Sequence, residues 1–294
     1  MKCSICGCEN IKIIFDDKIR NGAFGQLTDK NFKMFQCVEC ETIWHDFLKE
    51  DYSEYYETEK YRKDVLGEVS AEYFYQEYDK EVSRKIQWIG TDGVRGKIIA
   101  DIGCAGGALL DFYSGVAKDI VAVEPSEIYR TELKRKDYRV YPYMTDAITE
   151  GITADIITCF DVIEHVENPV LFMHQIYDLC TSGGSVIIGT PTEHKIMREL
   201  MGHSFDQFHF RYQHPWVLTK KAMIKMSEDA GFKVKKCLYK QRYNLSNLFI
   251  WLTEGRPKGN IHIPVITEEL EEQYKQSCEE LGVADYVLTY LIKK

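Results

Sequence analysis

The sequence contains no apolar run of the ~18–20 residues that a membrane-spanning helix requires. The residues that follow Met1 and Lys2 also lack the apolar core of a signal peptide. Positive charge is scarce, because 37 basic side chains face 46 acidic ones and the formal net charge is -9. This balance argues against a surface that follows a phosphate backbone. We therefore expect a cytoplasmic protein that binds no membrane and is a poor partner for nucleic acid.

The composition is that of a globular protein with a substantial core. The chain has 294 residues, of which 45% are hydrophobic and 28% are charged. This length suits one larger domain with a small appendage. Ten cysteines are present. In the cytoplasm they stay reduced, so their spacing is more informative about metal binding than about disulfides.

Two C-x-x-C pairs stand near the N-terminus, some thirty residues apart. Their four thiolates are the soft ligands that zinc prefers, so the spacing predicts a structural Zn²⁺ site. A site with four protein ligands is closed, and its metal stabilises the fold instead of catalysing a reaction. Two alternatives are a pair of reduced dithiols and an iron–sulfur cluster. The predicted ligands are Cys3, Cys6, Cys37 and Cys40.

The rest of the chain is read as a helical connector followed by an α/β domain. Apolar residues at helical spacing predict a helix over about 70–89. From residue 97 onward, short apolar runs alternate with helical segments, which favours a doubly wound, Rossmann-like sheet. A single acidic helix is expected at about 267–281. The predicted strands of this seven-stranded sheet are 98–102, 120–123, 138–141, 154–160, 185–190, 232–239 and 286–292.

A glycine-rich turn and two acids indicate the ligand of this domain. Asp101 stands two residues before Gly103, and Gly107 closes the turn. Glycines let the backbone approach a ligand closely, while an acid beside the turn suits an ammonium group better than a pyrophosphate. Glu124 ends the second predicted strand, where a carboxylate can accept hydrogen bonds from ribose hydroxyls. An amine and a ribose without phosphate describe S-adenosylmethionine (SAM); the alternative is a nicotinamide-binding domain.

With these motifs in order, residues 97–240 resemble the class I SAM-dependent methyltransferases. The resemblance implies that SAM is the cofactor and S-adenosylhomocysteine (SAH) the product. It implies that Glu124 binds the ribose and that Asp146 contacts the adenine. The cofactor-binding residues carried over are Asp101, Gly103, Cys104, Ala105, Gly107, Glu124, Pro125, Asp146, Phe160 and Asp161.

Histidines are the candidate catalytic residues, because methyl transfer needs a positioned acceptor and a group that takes a proton near pH 7. His165 follows the fourth strand, beside Glu164, in a segment that resembles the lining of the family's substrate pocket. His209 and His214 lie in an aromatic-rich segment predicted to be a loop, together with Arg211 and Tyr212 as substrate contacts. Arg211 suits a phosphate group. Each of these histidines can equally serve a structural role.

The order of the parts in this chain resembles that of sugar methyltransferases. An N-terminal cysteine ribbon (residues 1–50) is followed by a tyrosine-rich stretch with Tyr55, Tyr56 and Tyr61, and then by the core. His214 stands where the nucleotide-sugar C-methyltransferases carry a Glu-His pair, although Gln213 replaces the acid. That branch also has a further large C-terminal domain, which we do not expect here. The resemblance implies a small, nucleotide-linked sugar from surface-polysaccharide or antibiotic biosynthesis as the acceptor, and the tyrosines as substrate contacts.

Two other functions stay open at this stage. One is a zinc-ribbon RNA methyltransferase that modifies an rRNA base, and the other is a SAM-fold interaction module without activity. The methylated atom (O, N or C) and the oligomeric state are not indicated by the sequence. The predicted organisation is a zinc ribbon over 1–50, a tyrosine-rich helical connector over 51–96, a SAM-binding core over 97–243, and an insertion helix plus closing strand over 244–294.

Overall fold

The computed structural model describes residues 1–45 and 71–294. The tyrosines Tyr55, Tyr56 and Tyr61 lie outside these residues. None of the helices in the described ranges is both long enough and apolar enough to cross a bilayer.

A small antiparallel sheet contains the N-terminal strands. Its order is β1 (Ile11–Asp17), β2 (Phe32–Cys37), β3 (Ile43–His45) and β9 (Trp216–Val217). The strands enclose an apolar cluster to which Phe210 also contributes. The last strand belongs to a distant part of the chain, because Ile43 pairs with Val217.

The second sheet has seven strands, which confirms the predicted fold class. The three pairs β4–β5, β4–β7 and β5–β6 are parallel, so their carboxyl ends meet at one edge. The central residues of β4, β5 and β7 are fully buried, as their continuous apolar runs require. The order is β10-β11-β8-β7-β4-β5-β6, with β4 (Ile98–Ile102), β5 (Asp119–Val123), β6 (Arg139–Tyr141), β7 (Ala154–Phe160), β8 (Cys180–Pro191), β10 (Phe232–Lys240) and β11 (Tyr286–Lys293).

Helices connect these strands. Helix α1 agrees closely with the predicted connector helix. The described helices are α1 (Ala71–Ile89), α2 (Ala108–Ser114), α3 (Glu127–Arg135), α4 (Met144–Thr149), α5 (Pro169–Leu179), α6 (Lys195–Met201), α7 (His203–His209), α8 (Lys220–Asp229), α9 (Leu245–Glu254) and α10 (Glu268–Leu281).

Three regions differ from the sequence prediction. The insertion contains two helices instead of one, because Asn244 caps α9 by accepting a hydrogen bond from the Asn247 N–H and left-handed Gly255 ends it. The apolar residues of α9 face several sides of the helix, so the sequence shows no clear helical period there. His209 is the last residue of α7 and not part of a loop. Strand β8 also begins earlier than predicted, at Cys180.

The described residues form two compact units. The first contains residues 1–45, Gly189–Lys225 and Lys236–Thr289. The second contains residues 71–188, Met226–Lys235 and Tyr290–Lys294. Every contact described for the candidate site joins residues of the same unit.

Candidate functional site

The turn after β4 has an unusual backbone. Gly103, Ala105 and Gly107 have φ angles of 71°, 46° and 80°, all in the left-handed region. A Cβ at Gly103 would lie 2.3 Å from Cγ2 of Val162, and one at Gly107 would lie 2.6 Å from Cδ2 of Leu133. Both positions therefore require glycine, and Ala105 holds a strained conformation of the kind found at ligand sites.

The Glu124 carboxylate holds this turn. Its Oε2 accepts a hydrogen bond from the Ala105 N–H at 2.7 Å, and its Oε1 accepts one from the Ser126 N–H at 2.9 Å. Glu124 is only 4% exposed. Each carboxylate oxygen has a further lone pair, so the same group can accept hydroxyl hydrogens from a ligand. Arg130 donates to the carbonyl oxygens of Glu124 and Pro125, which fixes the chain after the acid.

Asp101 is a buried acid near the end of β4. Its backbone pairs with Ala122 on one side and Thr158 on the other, and the Thr158 hydroxyl donates to Oδ1 at 2.6 Å. Burial raises the pKa of Asp101 to about 6, against the hydrogen bond from Thr158, which lowers it. The nearby Glu124 raises it further. Two buried carboxylates so close together favour a cationic ligand.

Two residues that the sequence analysis missed hold the other side of the turn. The Tyr75 hydroxyl donates to the Gly106 carbonyl oxygen at 2.7 Å, and Nζ of Lys136 donates to the same oxygen at 3.0 Å. The ammonium group also pairs with Asp111 at 2.7 Å. These residues are far apart in the chain and form no motif. Thr158, in contrast, follows from the register of β4 and β7, which places it beside Asp101.

The segment after β7 lies at the same end of the sheet. The Phe160 ring packs at 6.1 Å from Trp88, and the next residue, Asp161, is exposed with a left-handed φ of 57°. Glu164 is fully buried, whereas His165 is half-buried. One carboxylate oxygen of Glu164 and one ring nitrogen of His165 lie within 4.8 Å of each other. A carboxylate at this range can orient the imidazole and strengthen it as a proton acceptor.

Two further predicted cofactor residues have visible local roles. Asp146 is exposed and caps α4, because its Oδ2 accepts from the Tyr143 N–H at 3.1 Å. Cys104 is buried in the turn, and burial raises the pKa of its thiol well above the usual range. The thiol therefore stays protonated and acts as a packing group.

The histidine-rich segment lies in the first unit. Burial lowers the pKa of His209 to about 3, and the cations Arg198 and Arg242 and the neighbour His194 lower it further. The His209 ring stacks on Phe205, with 5.5 Å between the ring centroids. This imidazole stays neutral at pH 7, which makes it a weak proton acceptor.

Residues 211–214 form a tight turn beside the N-terminal ribbon. The His214 N–H donates to the Arg211 carbonyl oxygen at 3.1 Å, and the Tyr212 N–H donates to that of Arg20 at 2.9 Å. Gln213 is buried and donates to the Asn21 side chain at 2.8 Å. The His214 ring is half-buried. Residues of the ribbon therefore hold the backbone of the turn that contains His214.

The four predicted zinc ligands come together. Sγ of Cys3 lies 3.7 Å from that of Cys40, and Sγ of Cys6 lies 3.4 Å from that of Cys37. All four sulfur atoms lie within 4.8 Å of one another. Four sulfurs around a tetrahedral zinc ion are about 3.8 Å apart, so the cluster fits this metal. Cys8 is not part of the group and hydrogen bonds with Asn10.

The two cysteine pairs share one backbone geometry. The Gly7 N–H donates to the Cys3 carbonyl oxygen at 2.9 Å, and the Glu41 N–H donates to that of Cys37 at 3.0 Å. Gly7 and Glu41 both have left-handed φ angles, of 77° and 61°. This repetition is expected of two knuckles that hold one ion from opposite sides.

A family model described as "Methyltransferase domain" matches residues 74–236, which is 163 of the 294 residues. A ubiquinone biosynthesis O-methyltransferase from Azoarcus sp. (strain BH72) is 28% identical over 116 residues, or 36% of this chain and 49% of that protein. One from Psychrobacter arcticus is 23% identical over 185 residues, or 55% and 69%. The chain thus spans about half the length of most of these curated relatives.

Solved structures are similar at low identity. A SAM-dependent methyltransferase from Archaeoglobus fulgidus is 18% identical with a TM-score of 0.49, covering 83% of this chain and 100% of that one. Magnesium protoporphyrin IX methyltransferase from Synechocystis PCC 6803, solved with bound SAH, is 14% identical with a TM-score of 0.47, covering 82% and 98%.

Proposed function

The chain belongs to the methyltransferase domain family, and from that premise we propose that it transfers a methyl group from SAM to a hydroxyl group of a small, nucleotide-linked sugar. The observation that carries the methyl-transfer assignment is the pair of buried acids at the ends of β4 and β5. Both acids flank the turn in which Gly103 and Gly107 stand at positions too crowded for a side chain.

The residues of the second unit fit SAM group by group. We assign the ammonium group of the cofactor to Asp101 and the ribose hydroxyls to Glu124. Both carboxylates are already oriented, by Thr158 and by backbone N–H groups respectively, so little ordering is needed on binding. When bound, SAM supplies a methyl group on a sulfonium ion, which is a good leaving group. The protein therefore has mainly to position the acceptor and receive its proton.

His165 and His214 are the proposed proton acceptors. The carboxylate of Glu164 supports His165 at short range, and His214 is carried on a turn that the ribbon fixes. His209 is assigned a packing role, because its buried ring remains neutral. In this proposal the acceptor hydroxyl loses its proton to one of the two half-buried histidines.

Two observations support the acceptor. The curated relatives are named O-methyltransferases, which supports oxygen as the methylated atom. The ribbon with its tyrosines and His214 resembles the arrangement in nucleotide-sugar methyltransferases. In this proposal Tyr55, Tyr56 and Tyr61 contact the sugar, and Phe160, Asp161 and Asp146 complete the cofactor pocket.

We also propose that Cys3, Cys6, Cys37 and Cys40 hold one structural Zn²⁺ ion. The short sulfur–sulfur distances and the matching knuckles support this assignment. Four protein ligands leave no open coordination position, so the ion stabilises the ribbon and takes no part in methyl transfer.

A transfer assay with labelled SAM tests the function. Purified protein is offered a pool of nucleotide-linked sugars in one tube and total RNA in another. Label in the sugar pool supports the proposal, and mapping the product identifies the methylated atom. Label in RNA alone contradicts it and favours an rRNA base methyltransferase. SAM binding without transfer to either pool also contradicts the sugar assignment.

A further inference from the structure

Arg211 is an arginine that lies half-buried in the first unit. Its surroundings remove it from water enough to lower its pKa to about 10, and the adjacent cation Arg242 lowers it as well. No ion pair or side-chain hydrogen bond joins Arg211 to another residue in the described ranges. Tyr243, the neighbour that raises its pKa, is a phenol and not a carboxylate. Within the described ranges, therefore, no carboxylate balances this partly desolvated cation.

Other arginines of the same unit show the usual arrangement. Arg198 pairs with Asp206 at 2.5 Å and also with Glu193, and Arg242 pairs with Asp285 at 2.8 Å. Each of these partly buried cations has a carboxylate partner, as the cost of burying charge requires. Arg211 departs from this pattern, although it lies close to Arg242.

A second arginine, which pairs with no carboxylate of the described residues, lies next to Arg211 along the backbone. Arg20 is 6% exposed, its guanidinium lies 4.0 Å from the centre of the Phe208 ring, and its Nε has no hydrogen-bond partner. Its backbone forms an isolated bridge with Arg211, and its N–H donates to the Phe210 carbonyl oxygen at 3.1 Å. Arg20 therefore fixes the backbone that carries Arg211.

We propose that Arg211 binds a phosphate group of the methyl acceptor, which enters the site as a nucleoside diphosphate derivative. The planar fork of a guanidinium matches phosphate oxygens, and the ligand supplies a negative charge that none of the described residues brings to Arg211. Arg20 is a positioning residue that holds the Arg211 backbone. The turn from Arg211 to His214 links this phosphate contact to a proposed proton acceptor. The inference rests on the proposed function, because it assigns a part of the same acceptor.

Binding of uridine diphosphate and of inorganic pyrophosphate, measured by calorimetry without methyl transfer, tests the inference. In Arg211→Met we expect affinity for both probes to fall at least ~10-fold, because a hydrogen-bonded charge pair is lost. Arg211→Lys should fall less, since an ammonium group keeps the charge but not the fork. The control is Arg95→Met, which removes one exposed arginine and should leave both affinities unchanged.

The affinity for SAM serves as the folding check, and it should be the same in all variants. Equal affinity of wild type and Arg211→Met for both probes would overturn the inference, as would failure of the wild type to bind either probe. Tighter binding of malonate than of pyrophosphate would also overturn it, in favour of a carboxylate ligand. If Arg211→Met does not fold, Arg211→Lys decides by the same comparison. Probe binding that depends on Arg211, without transfer to any nucleotide-sugar, would refute the proposed function while upholding the anion site.

Discussion

The backbone N–H of Ala105 donates to the Glu124 carboxylate across 2.7 Å. This bond joins the strained residue of the turn to the acid assigned to ribose. The turn and the acid therefore form a single preorganised element, and a change in either one disturbs the other.

Replacing Glu124 with glutamine should weaken SAM binding by ~10–100-fold. Both carboxylate oxygens accept backbone hydrogen bonds, and the glutamine NH₂ group cannot accept one, so the Ala105 or the Ser126 N–H loses its partner. Calorimetric titration with SAM measures the effect. The matched control is Glu127→Gln, an exposed acid at the start of α3. Unchanged affinity in Glu124→Gln would contradict the ribose assignment.

Asp101 should make stability and cofactor binding depend on pH in opposite directions. Its pKa of about 6 in the folded protein lies above the ordinary 3.8, so the protonated form stabilises the fold and this contribution is lost as pH rises through about 6. The charged form is the one that binds an ammonium group. We expect SAM affinity to fall below about pH 6 in the wild type.

Asp101→Asn separates the two effects of this acid. The variant should melt at a higher temperature than the wild type at about pH 8, since the buried charge is removed and Thr158 can still donate to Oδ1. It should bind SAM weakly at every pH. A variant that retains a wild-type pH profile of SAM binding would contradict the role given to Asp101.

Gly103→Ala should destabilise the second unit by about 2–4 kcal/mol and abolish SAM binding, because the new Cβ meets Val162 at 2.3 Å. Val162→Ala combined with it removes the clash and leaves only the left-handed backbone strain. Chemical denaturation should therefore show partial recovery in the double variant. Additive losses would mean that the contact with Val162 is unimportant.

Removal of the metal should loosen the segment that carries His214. The Thr219 hydroxyl donates to the Cys40 carbonyl oxygen, and the His45 N–H donates to that of Pro215 at 3.3 Å. Metal analysis should find one zinc per chain, and Cys40→Ser should lose it. Hydrogen exchange should then accelerate in residues 212–219. Cys278→Ser, which changes a buried cysteine outside the cluster, should not alter the zinc content.

Substitutions of the three histidines should differ in their effect on turnover. We expect His165→Asn or His214→Asn to lower kcat by ~10²–10⁴-fold, as loss of a proton acceptor does, with little change in SAM affinity. His209→Asn should change stability more than the pH profile of kcat, because its pKa of about 3 keeps it neutral in the working range. A shifted kcat profile in His209→Asn would contradict its packing role.

The sequence predicted the local geometry well where a motif is contiguous. The turn from Asp101 to Gly107, the acid at Glu124 and the seven-stranded sheet follow from short apolar runs and from the strong local demands of a tight turn. The cysteine spacing likewise predicted which four sulfur atoms meet, because each knuckle folds within a few residues.

Contacts between distant segments could not be predicted in this way. Tyr75 and Lys136 meet at the Gly106 carbonyl oxygen, although no periodicity links residues on two different helical segments. The pairing of Ile43 with Val217 has no local signal either, since β9 is only two residues long. Helix α9 was missed for a different reason, namely that its apolar residues face several sides.

The pairing of β3 with β9 also bears on how the protein is made. All four cysteine ligands are synthesised early, so the knuckles can capture metal before the rest of the first unit exists. The edge of β3, however, meets its partner only after the ribosome has passed Val217. During that interval an open strand edge is exposed on the nascent chain. Slowing translation ahead of β9 would therefore prolong the stage most vulnerable to aggregation.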